Sequence, residues 1–290
     1  MSDLKVGAVI VTYNPEINRL KKVIDSIANQ IDNIIIVDNN SKNVNDLIDL
    51  IRNYSNIEII KNGQNYGIGK ALNIGVKILK CKVEWILTLD QDTILLKKIN
   101  DVFDILKIEL NKKKIDMKKI GIIFLNYIEI NKKVDENFYI DKKLPIIISG
   151  CLINKIIFER GLKFREEFFL DHIDTDFDYQ VKHEGFLILK TYEKYTDHKL
   201  GLKVVLKNEG EIIFEPEWRM YLMTRNLVKL LIENKIKLNF FINQILIWDY
   251  KLIKTKKIKN VIKEVLRSNM FGILDGIRNK LGPPFYRYKI

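Results

Sequence analysis

Glu84-Trp85-Ile86-Leu87-Thr88-Leu89-Asp90-Gln91-Asp92-Thr93 is an apolar run with the length and bounds of a buried strand, and it ends in two carboxylates one residue apart. Side chains at i and i+2 of an extended segment lie on the same side, so Asp90 and Asp92 can converge on one hard cation from a strand end. Such pairs also cap helices and decorate turns. What raises this one is its place after a strand.

Working outward, the same pattern recurs three times on the N-terminal side. Val6-Gly7-Ala8-Val9-Ile10-Val11 gives way to Thr12-Tyr13-Asn14-Pro15, and Ile34-Ile35-Ile36-Val37 to Asp38-Asn39-Asn40-Ser41. A third strand is predicted at Ile57-Glu58-Ile59-Ile60. Between them Ile17, Leu20, Val23, Ile24 and Ile27, and then Leu47, Ile48 and Ile51, recur at helical spacing. Asn65-Tyr66-Gly67-Ile68-Gly69-Lys70 opens another periodic run, its glycines suited to a tight turn or to close backbone approach at a helix start. Strand alternating with helix predicts an α/β fold with a mostly parallel sheet flanked by helices, whose ligands bind beyond the carboxyl ends of the strands.

C-terminal to Asp92 a charged helix is expected near Leu96 to Leu110, then strands at Gly121 to Leu125 and Ile146 to Gly150, with a hairpin or lid between them. Asn154 to Arg160 reads as a short helix closed by Gly161. Asp171, Asp174 and Asp176 open a further helix beside His172, where the helix dipole favours acids in any case. A last strand is expected at Phe186 to Leu189, followed by His198 in a polar stretch. From Pro216 the pattern is helical, dividing the chain into a domain at 1–215 and a basic, amphipathic region at 216–290.

The 290 residues are 47% apolar and 30% charged, as in a folded soluble protein, but the formal net charge is +12. The surplus gathers at Lys251, Lys254, Lys256, Lys257, Lys259, Lys263 and Arg267. It has two readings: an amphipathic helix, with Phe240, Phe241 and Trp248 on its other face, lying on an anionic membrane, or a packed helix pair with a solvated face. Cys81 and Cys151 have no metal-ligand spacing and no disulfide framework, consistent with a reducing cytoplasm. The N-terminus leads directly into a strand, which predicts no signal peptide, and no apolar stretch is long enough to span a bilayer.

In order along the chain, Val11-Thr12-Tyr13-Asn14-Pro15, Val37-Asp38-Asn39-Asn40-Ser41, Asn65-x-Gly67-x-Gly69, Leu89-Asp90-Gln91-Asp92-Thr93, Ser149-Gly150, Asp171-His172-Ile173-Asp174-Thr175-Asp176, His198-x-x-Gly201 and Tyr221-x-x-x-Arg225-Asn226 resemble a family-2, GT-A-fold glycosyltransferase. The likeness is greatest to the rhamnosyltransferase-like branch and extends weakly to Gly272-Ile273-Leu274-Asp275-Gly276. The resemblance implies that Thr12, Tyr13 and Asp38, with Asn14 and Asn40 in the same motifs, hold the base and ribose of a nucleotide-sugar, with Asn65, Gly67 and Lys70 nearby. Asp90 and Asp92 would bind Mg²⁺ or Mn²⁺ at the diphosphate, His198 would be a third metal ligand, and Arg225 would face the diphosphate. Asp174 is the candidate general base, Asp176 orients the acceptor or the base, and Asp171 is the alternative base. Gln180 and Lys182 stand where relatives often carry Arg.

The expected activity is therefore inverting, metal-dependent transfer of a sugar. L-rhamnose from dTDP-rhamnose onto a glycan or lipid-linked glycan of a surface polysaccharide, O-antigen or capsule comes first. A UDP-hexose or UDP-galactofuranose donor is the alternative. The expected location is cytoplasmic, with peripheral contact at the inner face of the membrane under the first reading of the basic tract. A non-catalytic nucleotide-sugar binder and a nucleic-acid binder are the other classes. The acidic or neutral strand ends and the lack of any nucleic-acid motif weigh against the latter. The oligomeric state is open.

Overall fold

The computed structural model describes residues 4–130, 136–140, 145–198, 202–206, 210–214, 216–255 and 258–288. They form two compact units, Met1–Phe164 with Phe177–Lys199, and Arg165–Asp176 with Leu200–Ile290.

The first unit runs β1 (Val6–Thr12), α1 (Ile17–Ile27), β2 (Asn33–Asp38), α2 (Val44–Ile51), β3 (Ile57–Lys61), α3 (Ile68–Leu79), β4 (Trp85–Asp90), β5 (Ile94–Leu95), α4 (Ile99–Lys113), β6 (Ile120–Phe124), β7 (Phe138–Tyr139), β8 (Cys151–Asn154), α5 (Lys155–Glu159), α6 (Ile173–His183), β9 (Leu187–Thr191) and β10 (Thr196–Asp197). Helix α6 begins within the second unit's segment and continues in the first. The main sheet has eight strands in the order β3-β2-β1-β4-β8-β6-β9-β7. β1 to β4 are mutually parallel, β8 lies antiparallel between β4 and β6, and β9 is parallel to β6. Every residue of β1 is buried, as a strand covered by helices on both faces requires. Leu20, Val23, Ile24 and Ile27 of α1 enter the same core as Ala8, Ile10, Ile34, Ile36 and Trp85.

The chain lays down β1, β2 and β3 in one direction and returns to place β4 on the other side of β1. The crevice outside the carboxyl ends of β1 and β4 is therefore the topological switch point, where an open α/β sheet takes its ligand.

Three expectations shift. Ile146 to Ser149 is not a strand; β8 starts at Cys151, after Gly150 turns through φ 84°. The polar Ser149 and Gly150 end the approach, and the apolar alternation that pairs with β4 belongs to the next four residues. The charged helix starts later, at Ile99, because Ile94 and Leu95 pair with Thr196 and Asp197 in a two-stranded ribbon. In the polar excursion β7 adds to the sheet edge through β9, while 131–135 and 141–144 lie outside the described residues.

The second unit contains the hairpin of β11 (Leu202–Leu206) and β12 (Gly210–Phe214), then α7 (Glu217–Ile232), α8 (Leu238–Thr255) and α9 (Ile258–Ile277). The expected change of composition at about Pro216 marks the start of α7. The weak Gly272-Ile273-Leu274-Asp275-Gly276 motif gains a packing role. A Cβ at Gly272 would stand 2.9 Å from the Tyr221 carbonyl oxygen, and one at Gly276 2.8 Å from that of Arg225, so only glycine lets α9 lie this close to α7. Asp275, between them, is fully buried and accepts from Tyr221 Oη at 2.9 Å, Tyr286 Oη at 3.0 Å and Arg287 Nη2 at 2.7 Å. Among the aromatics expected on α8, Phe240 and Phe241 are half-buried, and the side chain of Trp248 lies outside the described residues, as do those of Lys251, Lys254, Lys256, Lys257 and Lys259.

A charged network also sits in this unit. Arg165 donates to Glu233 at 2.6 and 2.8 Å, and Lys229 and Lys235 reach Glu233 at 3.1 and 3.3 Å. The hydrogen bonds from Arg165 hold the Glu233 carboxyl down at about 2, below its ordinary 4.5. A carboxylate whose folded pKa is depressed stabilises the fold above its unfolded pKa, and that stability drains away as pH falls through the window from 4.5 toward 2. Glu233→Gln is expected to cost about 1–2 kcal/mol at pH 7, because solvent screens a carboxylate this accessible, and to flatten the acid limb below pH 4.5. Urea melts at pH 7 and pH 3 would test this; parallel acid limbs in both proteins would contradict it.

Candidate active site

In the first unit the polar strand ends interlock. Thr12 Oγ1 at the end of β1 donates to Asp38 Oδ1 at the end of β2 at 2.9 Å, and the Ser41 N–H donates to Asp38 Oδ2 at the same distance. The Ser41 hydroxyl also donates to Asp38, whose carboxylate is 1% exposed, and accepts the Asn14 N–H at 2.8 Å. Asp38 is thus a buried clasp between the two loops. Asn14 and Asn40 adopt left-handed backbone at φ 47° and 67°, and both are exposed beside Tyr13, itself 42% exposed. Asparagine tolerates that conformation better than most residues.

The turn before α3 joins the same cluster. Asn65 Oδ1 accepts the Gly67 N–H at 2.9 Å, and Gly67 caps the helix at φ 83°, a value that favours glycine. Asn39, buried, donates to the Gly67 carbonyl at 3.2 Å and accepts from Asn62 at 2.9 Å. Lys70 Nζ lies 4.1 Å above the Tyr66 ring. Gln91, between the two aspartates, accepts the Tyr13 N–H at 2.8 Å, linking the ends of β1 and β4.

Asp90, Asp92 and His198 come together: one ligand atom from each lies within 4.8 Å of the others. Among the described residues this is the one such group of three. Two carboxylates and an imidazole suit Mg²⁺ or Mn²⁺ by donor chemistry. His198 arrives through the β5–β10 ribbon, 105 residues from Thr93 in sequence. Arg19 of α1 secures that ribbon, donating to the Asp92 carbonyl at 2.8 Å and to Asp197 Oδ2 at 3.0 Å, which holds the Asp197 carboxyl below its ordinary range. Gly201 of the His198 motif lies outside the described residues.

The remaining candidates belong to the second unit, apart from Gln180 and Lys182. Phe169, Asp171 and His172 all have positive φ, at 64°, 57° and 59°, just ahead of α6. Asn226 of α7 donates to the carbonyls of Phe168, Leu170 and Asp171 at 3.1, 2.8 and 2.9 Å. Arg225, expected to face a diphosphate, is instead fully buried. Its guanidinium donates to the Phe168 and Gly282 carbonyls at 3.2 and 2.7 Å and to Asn226 Oδ1. An interior guanidinium spent on carbonyls positions a loop rather than presenting its fork to phosphate.

The three acids differ in their surroundings. Asp171 takes three hydrogen bonds from Arg219 at 2.9 to 3.1 Å. Asp176 is 1% exposed and lies between Lys235, at 2.7 Å, and Arg165, at 3.4 Å. Asp174 is partly exposed, its Oδ1 accepting the Thr175 N–H at 2.7 Å. Burial lowers the His172 pKa to about 4, so the ring beside them is neutral near pH 7. In the first unit Gln180 donates to the Lys163 carbonyl at 3.2 Å and Lys182 pairs with Asp178 at 2.7 Å.

Arg19, Asn39, Ser41 and Gln91 were not among the residues singled out from sequence as site candidates. For the last three the signal was position within the motifs; for Arg19, on the polar face of a surface helix, there was none. Arg19→Ala removes charged hydrogen bonds from both sides of the ribbon and is expected to speed amide exchange at Leu96, which donates across it to the Tyr195 carbonyl, by roughly 10- to 100-fold, leaving β1 and β4 protected. Unchanged exchange at the ribbon would refute the role.

Residues 8–107 match the family model described as glycosyl transferase family 2. The dTDP-rhamnosyl transferase RfbF of Shigella flexneri is 29% identical over 297 residues, covering 96% of this chain and 97% of that protein. Among solved structures, S. aureus TarS 1–349 in complex with UDP aligns over 99% of this chain and 94% of its own, with TM-score 0.51 and 13% identity. Against a longer TarS chain the TM-score is 0.53, but this chain spans only 42% of it. The mannosyltransferase PcManGT of Pyrobaculum calidifontis, in complex with GDP-Man and Mn²⁺, aligns over the whole chain and 77% of its own, with TM-score 0.52 and 13% identity. At such identities the structural likeness is one of fold. The chain thus has the fold of these glycosyltransferases, matches the family 2 model over residues 8–107, and is similar along nearly its full length to a dTDP-rhamnosyl transferase.

Proposed function

We propose that the chain is an inverting, metal-dependent glycosyltransferase that moves L-rhamnose from dTDP-rhamnose onto a saccharide acceptor of a surface polysaccharide. The observation that carries the donor is likeness along nearly the full length to a dTDP-rhamnosyl transferase. The exposed Tyr13 ring and the loops clasped by Asp38 supply a rim for a base and ribose at the switch point. Asp90, Asp92 and His198 would hold Mg²⁺ or Mn²⁺. When bound, the cation supplies charge neutralisation for the departing nucleoside diphosphate.

The protein's own part is general base catalysis. Asp174 takes the proton of the acceptor hydroxyl as that oxygen bonds to the anomeric carbon and the bond to the diphosphate oxygen breaks, which inverts the centre. Asp176 orients the acceptor or the base, and Asp171, held by Arg219, is the alternative base.

For peripheral membrane contact the described residues offer a surface on α9. Leu266, Met270, Ile273, Leu274 and Ile277 form one exposed row, with Lys263, Arg267 and Arg278 exposed beside them and Asp275 buried. An apolar row flanked by basic residues suits an anionic lipid surface. No described helix is long and apolar enough to cross a membrane.

Calorimetry with dTDP, UDP and GDP, with and without Mn²⁺, tests the donor: Mn²⁺-dependent preference for dTDP is expected, while preference for UDP would move the donor to a UDP-hexose or UDP-galactofuranose. Asp92→Asn should abolish Mn²⁺-dependent nucleotide binding. Asp174→Asn should leave that binding intact while turnover falls at least 100-fold, in keeping with the roughly 10²–10⁴-fold that a positioned base contributes; a fully active variant would exclude it. Leu266→Glu with Leu274→Glu should abolish flotation with anionic vesicles without altering nucleotide binding, and undiminished flotation would remove α9 as the contact.

A further inference from the structure

Past α9 the chain turns back onto the acidic loop. The Lys280 N–H donates to the Asp275 carbonyl at 2.8 Å, and Gly282 then takes φ 98°. The N–H of Gly282 donates to the Glu167 carbonyl at 2.6 Å, and its carbonyl accepts from Arg225 Nη1 at 2.7 Å. Nη2 of the same guanidinium donates to the Phe168 carbonyl at 3.2 Å. Three residues later the Phe285 ring meets Phe169 edge to face, with centroids 5.8 Å apart. One segment thus touches Glu167 and Phe169 directly and Phe168 through Arg225, just ahead of the positive-φ turn that leads into Asp174.

The far end of that segment is anchored away from the loop. Tyr286 Oη and Arg287 Nη2 donate to the buried Asp275, the Arg287 guanidinium lies 4.2 Å over the Phe271 ring, and Tyr288 Oη donates to Glu217 at 3.3 Å. Between anchor and loop stand Pro283 and Pro284, whose rings fix φ as the 3₁₀ turn Pro284–Tyr286 begins, so the span is stiff. The loop needs that stiffness. Asn226 serves the carbonyls of Phe168, Leu170 and Asp171, which leaves that of Glu167 to Gly282 and, at 3.5 Å, to Arg225. Arg225 is fully buried, and a buried donor without an acceptor costs its full desolvation. A displaced Gly282 would therefore free the guanidinium to leave Phe168 as well.

We propose that Gly282–Tyr288 is a positioning strap for the acidic loop: Gly282 completes the hydrogen bonding of Glu167 and Arg225, Phe285 braces Phe169, and together they set the main chain that presents Asp174. The inference rests on the reading of Asp174 as general base, and adds the element that holds the base in place. Glycine is required at 282 by conformation alone, since φ 98° suits few other residues and a Cβ there would meet no atom within 4 Å.

Gly282→Ala therefore strains the strap without a clash. Amide exchange at Phe169 and Asp176, which donate to the Glu166 and His172 carbonyls, should quicken roughly 10- to 100-fold, with β1, β4 and the affinity for dTDP or UDP unchanged. His172, faced by Asp171 and Arg219, reports the loop by NMR, its signal assigned with His172→Gln: the ring should titrate at about 4 in the parent protein and move toward 6.5 in Gly282→Ala. Phe285 is exposed, so Phe285→Ala leaves the core intact; it should loosen the same amides, and Phe285→Tyr should restore them. Exchange and titration unchanged in both Gly282→Ala and Phe285→Ala would overturn the strap. Release of dTDP from dTDP-rhamnose, with water as acceptor, should fall on the order of 10- to 100-fold in Gly282→Ala. A loosened loop with undiminished release would overturn the link to the base, and parent protein that releases none would overturn the proposed reaction rather than the strap.

Discussion

The parallel pairing of β1 with β4 is the constraint on which the site depends. β4 does not follow β3 along the same edge; its return to the far side of β1 puts the ends of both strands at one crevice. β1 is buried throughout and β4 nearly so, and the one polar side chain inside them, Thr88, is satisfied by the Ile148 and Cys151 carbonyls. The remaining polarity lies where each strand ends, and there the side chains satisfy one another. Thr12 serves Asp38, Ser41 serves Asp38 and Asn14, Asn39 serves the Gly67 turn, and Gln91 serves Tyr13. A buried carboxylate without such donors would cost several kcal/mol. With them it fixes the spacing of two loops before any ligand arrives, which is preorganisation.

The second unit solves a different problem, that of holding an unfavourable backbone. Three residues with positive φ within four positions, two of them large aromatic or imidazole side chains, cost of order 1–3 kcal/mol each. Asn226 and Arg225 meet that cost by capturing the carbonyls the turn exposes, and Gly272 and Gly276 let α9 press on α7 at Tyr221, Thr224, Arg225 and Val228. Arg225, for which the resemblance implies a diphosphate contact, here holds the acidic loop together with Asn226. A family motif records that residues are needed, and only packing shows for what.

Sequence made the fold legible wherever burial imposed a period. Four parallel strands and the helices between them follow from runs such as Val6 to Val11 and from spacings such as Leu20, Val23, Ile24 and Ile27. It was silent where elements are too short to show one. β5 and β10 have two residues each, and no alternation can be read from two residues, yet their ribbon is what delivers His198. Polar partnerships across 59 or 105 residues, such as Ser149 with Asp90 and Thr93 with His198, were equally invisible, because hydrogen bonding leaves no periodic trace in composition. The displaced β8 has the same origin: Ile146 to Ile148 looks like a strand locally, but pairing with β4 selects Cys151 to Asn154.

The basic surplus of the chain also reads differently once side chains are placed. With 49 Lys and Arg against 37 Asp and Glu, every carboxylate has cations to spare, and in the second unit Asp171, Asp176 and Glu233 are indeed held by them. At the switch point the pairing is of another kind. Asp38 is answered by hydroxyls and a backbone N–H, and Asp92 by an imidazole. Arg19, the guanidinium that comes nearest through its contact with Asp92, spends itself on the main-chain carbonyl and on Asp197. A guanidinium on the Asp92 carboxylate would lower its affinity for a divalent cation by offering the same oxygens a competing charge. Net charge therefore says little about this site, because its field is set within a few ångströms, where hydroxyls and an imidazole leave the carboxylate oxygens a negative charge that the chain as a whole does not have.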